Sequence, residues 1–205
     1  MSTPSVPADP MAARSDAVSA WNIANALTVL RLLLVPVFAV VLVHGDGHQA
    51  GWRIGAWCVF AVASMTDRFD GEIARRRGLV TEFGKLADPI ADKALMSTAL
   101  IGLSRLGDLP WWITVVIVVR EVGVTLLRFW VIRHGVIPAS RGGKVKTLLE
   151  TVAIGLFVLP LAGWPGWLHA SAWVVMIAAV AIALVTGVDY VARAVRLRRT
   201  GHVTA

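Results

Sequence analysis

The chain has 205 residues, of which 57% are hydrophobic and 16% are charged, and its mean hydropathy is +0.69. This balance excludes an ordinary water-soluble domain, in which about a quarter of the residues carry a charge. The single cysteine, Cys58, excludes a disulfide framework and a cysteine-based metal site of the usual kind. Because a hydrocarbon layer about 30 Å thick needs about 20 apolar residues per helix, the composition predicts several membrane-spanning helices.

The apolar segments divide the chain into a tail, six helices and a second tail. Residues 1–18 are rich in Ser, Pro and Ala without an apolar period, which predicts a disordered N-terminal tail that is not a signal peptide. We predict an all-α integral membrane domain over residues 19–195 and a basic cytoplasmic tail over 196–205. The six predicted transmembrane spans cover residues 27–44, 53–75, 88–105, 111–133, 147–163 and 169–192.

The positions of the basic residues predict the orientation of these spans. The formal net charge is +7. With the N-terminus inside, only Arg53 and Arg105 fall outside, three basic residues fall within spans, and the other 15 of the 20 lie in or beside cytoplasmic segments. This asymmetry predicts that both termini are cytoplasmic, and it favours an orientation signal over a nucleic-acid surface. The last basic run predicts an anchor to anionic membrane lipids: Arg193, Arg196, Arg198 and Arg199.

Acidic residues concentrate at the cytoplasmic ends of spans two and three. Six of the 13 acidic residues lie between Asp67 and Asp92. Helical spacing places two stripes on one face each: Asp67, Asp70, Gly71 and Ala74, and then Gly84, Asp88 and Asp92. Converging carboxylates repel one another unless cations neutralise them, and oxygen ligands without His or Cys suit Mg²⁺ or Mn²⁺. Solvated loop charges are the alternative, and the helical register with small residues disfavours it.

The same residues form a long motif with strict spacing. Asp67-x-x-Asp70-Gly71-x-x-Ala74-Arg75-(x8)-Gly84-x-x-x-Asp88-x-x-x-Asp92 resembles, position for position, the signature of the CDP-alcohol phosphotransferase family. The similarity continues in three further segments, Asn22 to Arg31, Asp88 to Lys93 and Gly143 to Thr147, and in the pair Arg120-Glu121. It implies an enzyme of the cell membrane whose active site faces the cytoplasm.

The resemblance also implies a role for each matching residue. Family members transfer a phosphatidyl group from CDP-diacylglycerol to an alcohol and release CMP, using two divalent cations. The implied metal ligands are Asp67, Asp70, Asp88 and Asp92, and Asp92 is also the implied catalytic base. The implied CDP-diacylglycerol-binding residues are Asn25, Thr28, Gly71, Ala74, Arg75 and Thr81. Asn25 and Thr28 are also ordinary residues for a helix start, which leaves a structural role open for both.

A basic set beside the motif bears on the acceptor alcohol. Arg120 and Arg128 lie within a span, and we place Lys144 and Lys146 on a glycine-rich cytoplasmic turn. These four residues are predicted to bind an acceptor that carries its own phosphate. The resemblance implies glycerol 3-phosphate, while inositol phosphate and the headgroup of phosphatidylglycerol remain open. Alternatively, Arg120 pairs with Glu121 for structure and the lysines only follow the positive-inside rule.

Other features receive structural interpretations. His44 and His48 are predicted to lie in a polar outer loop, and Asp189 is predicted to pair with Arg193 one turn away. A stripe of small residues predicts close helix packing, either within the bundle or in a homodimer: Ala178, Ala179, Ala183 and Gly187. A transporter or cation channel is the alternative from another class. It is disfavoured because the acids cluster at one depth instead of following a path across the membrane.

Overall fold

The computed structural model describes residues 23–77, 82–131, 141–160 and 165–200. This part of the chain forms six α-helices and no strand, which confirms the prediction of an all-α chain with six helices. The predicted N-terminal tail lies outside the described residues. The helices are α1 (Ile23–Val43), α2 (Ala50–Arg77), α3 (Glu82–Arg105), α4 (Trp111–Val131), α5 (Arg141–Val158) and α6 (Gly166–Thr200).

Two of the described helices are long and apolar enough to cross a membrane. They contain the segments Asn25–Val43 in α1 and Gly166–Arg196 in α6, of which only 22% and 28% are buried within the bundle. A core helix of a soluble domain would be mostly buried, so these helices have the exposed apolar surface that lipid would cover. Charged side chains also lie within other helices, such as Glu121 in α4 and Glu150 in α5.

The helices pack around a shared apolar core with α3 near its centre. α1 packs against α2 and α3, α6 packs against α4 and α5, and α3 also contacts α2, α4 and α5. Many fully buried positions are alanines, including Ala63, Ala99 and Ala153, which let neighbouring helices approach closely. Each helix contributes a large buried side chain: Phe38, Phe60, Leu103, Ile113, Ile154 and Met176.

The small residues of α6 are used inside this bundle. Ala179 and Ala183 are each 1% exposed. A Cβ atom added at Gly187 would lie 3.3 Å from Cγ of Arg120, so the glycine leaves room for the arginine side chain of α4. Close packing within the bundle is therefore confirmed, and the homodimer stays a prediction.

One end of the bundle, which we call the loop end, contains the connections α1–α2 and α3–α4. The buried side chain of Arg53 joins them: its Nε donates to the carbonyl oxygen of Gly47 at 2.5 Å, and its guanidinium also pairs with Asp108. A third bond reaches the carbonyl oxygen of Phe157 near the end of α5, at 3.2 Å. Asp108 also lies 3.2 Å from Nε2 of His48. We call Arg53, Asp108 and His48 the Arg53 cluster.

The α1–α2 loop has the polar character that was predicted. The imidazole of His44 stacks on Trp52 with ring centroids 3.9 Å apart. Gly47 has a φ of 73°, a conformation that favours glycine, and a Cβ atom there would also force the side chain of Leu106 to shift. The main-chain N–H of His48 donates to Asp46 at 3.0 Å, and this bond lowers the pKa of the Asp46 carboxyl.

The C-terminal helix continues past the predicted span. Nε of Arg193 lies 2.9 Å from Oδ2 of Asp189, with both side chains about half exposed, which confirms the predicted pair one turn apart. α6 runs on to Thr200, so the first residues of the predicted basic tail are helical.

Candidate active site

Both acidic stripes lie on helices that pack against each other. α2 is unbroken from Ala50 to Arg77, and its register places Asp67, Asp70, Gly71 and Ala74 on one face. α3 begins at Glu82 and contains Gly84, Asp88 and Asp92 at intervals of four. The helical register of both stripes is therefore confirmed. The side chains of residues 67–77 and 82–86 lie outside the described part of the chain, and so does the whole of Thr81.

Asp88 is held by the first helix. The hydroxyl of Thr28 in α1 donates a hydrogen bond to Oδ1 of Asp88. Thr28 is 1% exposed and Asn25 is 6% exposed, so one face of the first turns of α1 is buried near the carboxylate stripe of α3. A residue predicted to bind nucleotide thus contacts a predicted metal ligand. Neither residue's sequence context indicates this contact, since 60 positions separate them.

Asp92 lines a narrow cleft between α3, α4 and α5, with an internal volume of about 20 Å³. The cleft brings the predicted catalytic base together with Lys146, one of the predicted acceptor-binding residues. Its wall combines charged and polar side chains with apolar ones. The lining residues are Asp92, Lys93, Met96, Ser97 and Leu100 from α3, Ile117, Val118 and Glu121 from α4, and Lys146, Thr147 and Glu150 from α5.

Lys146 is buried and paired with two carboxylates. Its side chain is 4% exposed, and its Nζ atom lies 2.5 Å from Oε1 of Glu121. It also pairs with Glu150, one turn further along α5, whose side chain is 3% exposed. A buried ammonium is costly unless opposite charges and hydrogen bonds compensate it, and the two glutamates supply both. The spacing of Lys146 and Glu150 is the sequence feature from which this pair could have been predicted.

The prediction that Lys144 and Lys146 lie on a glycine-rich turn is wrong. Both residues lie in α5, which begins at Arg141 and therefore includes Gly142 and Gly143 in its first turn. N–H groups in the first turn of a helix have no partner within the helix. The low helix propensity of glycine therefore costs less stability there than in a helix interior. The side chains of Lys144 and Arg128 lie outside the described residues.

Arg120 joins α4 to α6. Its Nε donates to the carbonyl oxygen of Ala183 at 3.1 Å, and its Nη2 donates to the hydroxyl of Thr186 at 2.8 Å. Its Nη1 lies 2.5 Å from Oε1 of Glu121, the same oxygen that Lys146 contacts. The structural alternative considered for Arg120, a pair with Glu121, is therefore present.

Lys93 is a cleft residue to which the sequence analysis gave no role. Its ammonium donates to the hydroxyl of Thr125, which in turn donates to the main-chain carbonyl of Glu121 at 2.7 Å. These bonds connect α3 to the turn of α4 that holds Glu121. Its position directly after Asp92 is the sequence feature that could have pointed to it.

Comparison with known proteins shows the family of this chain. The family model described as CDP-alcohol phosphatidyltransferase matches residues 21–185. A protein of Mycobacterium tuberculosis (strain CDC 1551 / Oshkosh) named "Probable phosphatidylglycerophosphate synthase" is 62% identical over 175 residues, covering 85% of this chain and 82% of that protein. Proteins of Bacillus subtilis (strain 168) and Rickettsia felis named "CDP-diacylglycerol--glycerol-3-phosphate 3-phosphatidyltransferase" are 36% and 38% identical, covering 68% and 69% of this chain and 77% of each relative. The chain belongs to the CDP-alcohol phosphatidyltransferase family.

Proposed function

We propose that this protein transfers the phosphatidyl group of CDP-diacylglycerol to sn-glycerol 3-phosphate, giving phosphatidylglycerophosphate and CMP. The names of the relatives support this choice of donor and acceptor. The single observation that carries it is the cleft between α3, α4 and α5. Asp92, whose carboxylate can accept a proton, lines this cleft together with the buried cation Lys146.

Asp67, Asp70, Asp88 and Asp92 would hold two divalent cations, Mg²⁺ or Mn²⁺. The donor set fits these hard ions because it consists of carboxylates, and the hydroxyl of Thr28 orients Asp88 as outer hydrogen bonds orient metal ligands. Among the described side chains no three acidic, His or Cys groups come together, and Asp67 and Asp70 are not among those side chains. When bound, such cations would neutralise charge on the pyrophosphate and on the departing CMP oxygen.

The residues of the chain divide the remaining work. Asp92 takes the proton from the acceptor hydroxyl. The hydroxyl oxygen of the acceptor then bonds to the β-phosphorus, and the bond from that phosphorus to the CMP oxygen breaks. Donor binding is assigned to Asn25, Thr28, Gly71, Ala74, Arg75 and Thr81. Arg75 would bind phosphate oxygens through its guanidinium, and Gly71 would let the main chain approach the nucleotide.

The acceptor phosphate is assigned to the basic set, with Lys146 in the leading position because it lines the cleft. Arg128 and Lys144 are proposed as further contacts. Arg120 acts through Glu121, since its guanidinium nitrogens bond to α6 and to that carboxylate. A phosphate on the acceptor would give Lys146 a charge-assisted partner that a neutral alcohol lacks.

An acceptor panel tests the proposal. Purified protein in detergent is given CDP-diacylglycerol and Mg²⁺, and CMP release is measured with glycerol 3-phosphate, inositol phosphate, phosphatidylglycerol or no acceptor, with Asp92→Asn as the inactive control. We expect release only with glycerol 3-phosphate. Preference for another acceptor would reassign the chain to a sister transferase, and no release with any acceptor would overturn the proposed reaction.

We further propose six membrane spans in the cell membrane, with both termini and the active site on the cytoplasmic side. The distribution of basic residues supports this orientation, and exposed tryptophans support a membrane interface at the loop end: Trp52, Trp111, Trp112 and Trp167. The acidic motif and Lys146 lie at the opposite helix ends.

Cysteine labelling tests the orientation. In a Cys58→Ser background, single cysteines near Gly47 and Gly107 should react with an impermeant thiol reagent added outside intact cells. Cysteines near Arg76, Gly142 and Thr200 should react only after the membrane is opened. Labelling of residue 142 from outside would show that the number of spans is wrong.

A further inference from the structure

Four charged residues form an alternating chain beside the cleft. Arg120 contacts Glu121, Glu121 contacts Lys146, and Lys146 contacts Glu150. We call these four residues the Lys146 network. Its two cations and two carboxylates balance, as expected for a group of charges held largely away from water.

The two carboxylates are not equivalent. Glu121 shares one oxygen between Lys146 and Arg120, and Arg120 is bonded to α6, so Glu121 belongs to a connection between helices. Within the described part of the chain, Glu150 makes its ion pair with Lys146 alone. The effect of Glu150 therefore passes through the lysine.

The second carboxylate has no simple role in attracting a phosphate. One carboxylate already compensates the charge of Lys146, and another negative group nearby weakens the attraction of the cleft for a phosphate dianion. What two carboxylates provide is position. A lysine has a flexible four-carbon chain and three donor hydrogens, and engaging two of these donors fixes where the ammonium lies.

We propose that Glu150 is a positioning residue for acceptor transfer, and that it holds the Lys146 ammonium where the acceptor phosphate docks beside Asp92. This inference rests on the proposed function, because it requires an acceptor that carries a phosphate. It predicts that Glu150 affects the alignment of the acceptor hydroxyl more than the affinity for the acceptor. Misplacement of this kind lowers kcat, while removal of a nearby negative charge does not raise the acceptor KM.

Two substitutions separate positioning from charge balance. Glu150→Gln keeps the size of the side chain and removes its charge, whereas Glu150→Asp keeps the charge and withdraws the carboxylate by one methylene. The matched control is Asp189→Asn, which breaks the exposed pair of the same spacing in α6. For each variant, kcat, the glycerol 3-phosphate KM, the CDP-diacylglycerol KM and the melting temperature are measured beside the wild type.

Positioning predicts that both Glu150 variants lower kcat about tenfold or more, with both KM values within about threefold of wild type and Asp189→Asn unchanged. If Glu150→Gln does not fold, Glu150→Asp carries the test alone. A wild-type kcat in Glu150→Asp would show that Glu150 acts only by balancing charge, and this would overturn the inference. A rise of both KM values together with a lower melting temperature would indicate a purely structural role and also overturn it. If the wild type fails to use glycerol 3-phosphate, the proposed function fails first and takes this inference with it.

Discussion

Two buried cations lie at opposite ends of the helical bundle, and their partners differ in kind. Arg53 at the loop end bonds to main-chain carbonyls of Gly47 and Phe157 and to Asp108, so its guanidinium joins two connections of the fold and the end of α5. Lys146 bonds to two carboxylates and lines the cleft that contains Asp92. Both side chains are 4% exposed. Burial alone therefore does not distinguish a structural cation from a functional one, and the partners and the adjoining cleft do.

The residue types suit the two tasks. A guanidinium presents five donors in a rigid plane, which suits several fixed carbonyl acceptors at once. An ammonium is a compact charge on a flexible chain, so it needs neighbours to fix its position and can still approach a phosphate. The comparison predicts that changes at the loop end alter stability and that changes at the cleft alter turnover.

The largest effect is expected at the acidic end of α3. Asp92→Asn should lower kcat by about 10²- to 10⁴-fold because it removes the proposed proton acceptor and a metal ligand. Asp67→Asn, Asp70→Asn and Asp88→Asn should also nearly abolish transfer, since each removes charge that the cations need. CMP release at saturating Mg²⁺ measures this, and an unchanged melting temperature confirms that each variant is folded. Wild-type turnover in any of the four would contradict the two-metal proposal.

A loss of stability is expected at the loop end. Arg53→Met leaves Asp108 without its buried partner and removes bonds to two carbonyls, which should cost about 1.5–3 kcal/mol. Thermal unfolding in detergent measures this loss of stability. The control is Arg105→Gln, which removes an exposed cation at the same end of the bundle. The acceptor KM of the folded fraction should not change. A wild-type melting temperature in Arg53→Met would show that the cluster does not hold the loops together.

The smallest effect is expected for the exposed pair of α6. Asp189→Asn removes a partner of Arg193, and because exposed pairs of this kind contribute about 0.2–1 kcal/mol, both the melting temperature and kcat should stay near wild type. This variant calibrates the comparison, since its spacing equals that of Lys146 and Glu150. A clear loss of activity would mean that ion pairs one turn apart matter here whatever their burial.

Much of the fold was predictable because its determinants are local. Apolar runs of transmembrane length gave six helices, and the spacing from Asp67 to Asp92 gave the register of both acidic stripes. Contacts between helices that are distant in sequence were less accessible. Thr28 and Asp88 are 60 positions apart and Arg53 and Asp108 are 55 apart, and nothing in the local pattern of either pair indicates its partner.

The error on α5 has a local cause. Gly142 and Gly143 favour a turn because glycine usually weakens a helix, but this effect is small in a first helical turn. Moving the helix start to Arg141 puts Lys146 and Glu150 one turn apart, so a correct start would also have predicted that pair.

The most direct test asks whether the Lys146 cleft binds the acceptor and not the donor. The variant Lys146→Met with Glu150→Gln removes one cation and one negative charge, so the network keeps its balance, and Glu150→Gln alone is the reference. Loss of one charge-assisted contact of about 1.5–3 kcal/mol should lower kcat/KM for glycerol 3-phosphate about ten- to a hundredfold and leave the CDP-diacylglycerol KM unchanged. Arg75→Ala should do the reverse. Equal effects of the Lys146 variant on both substrates would contradict a separate acceptor site in this cleft.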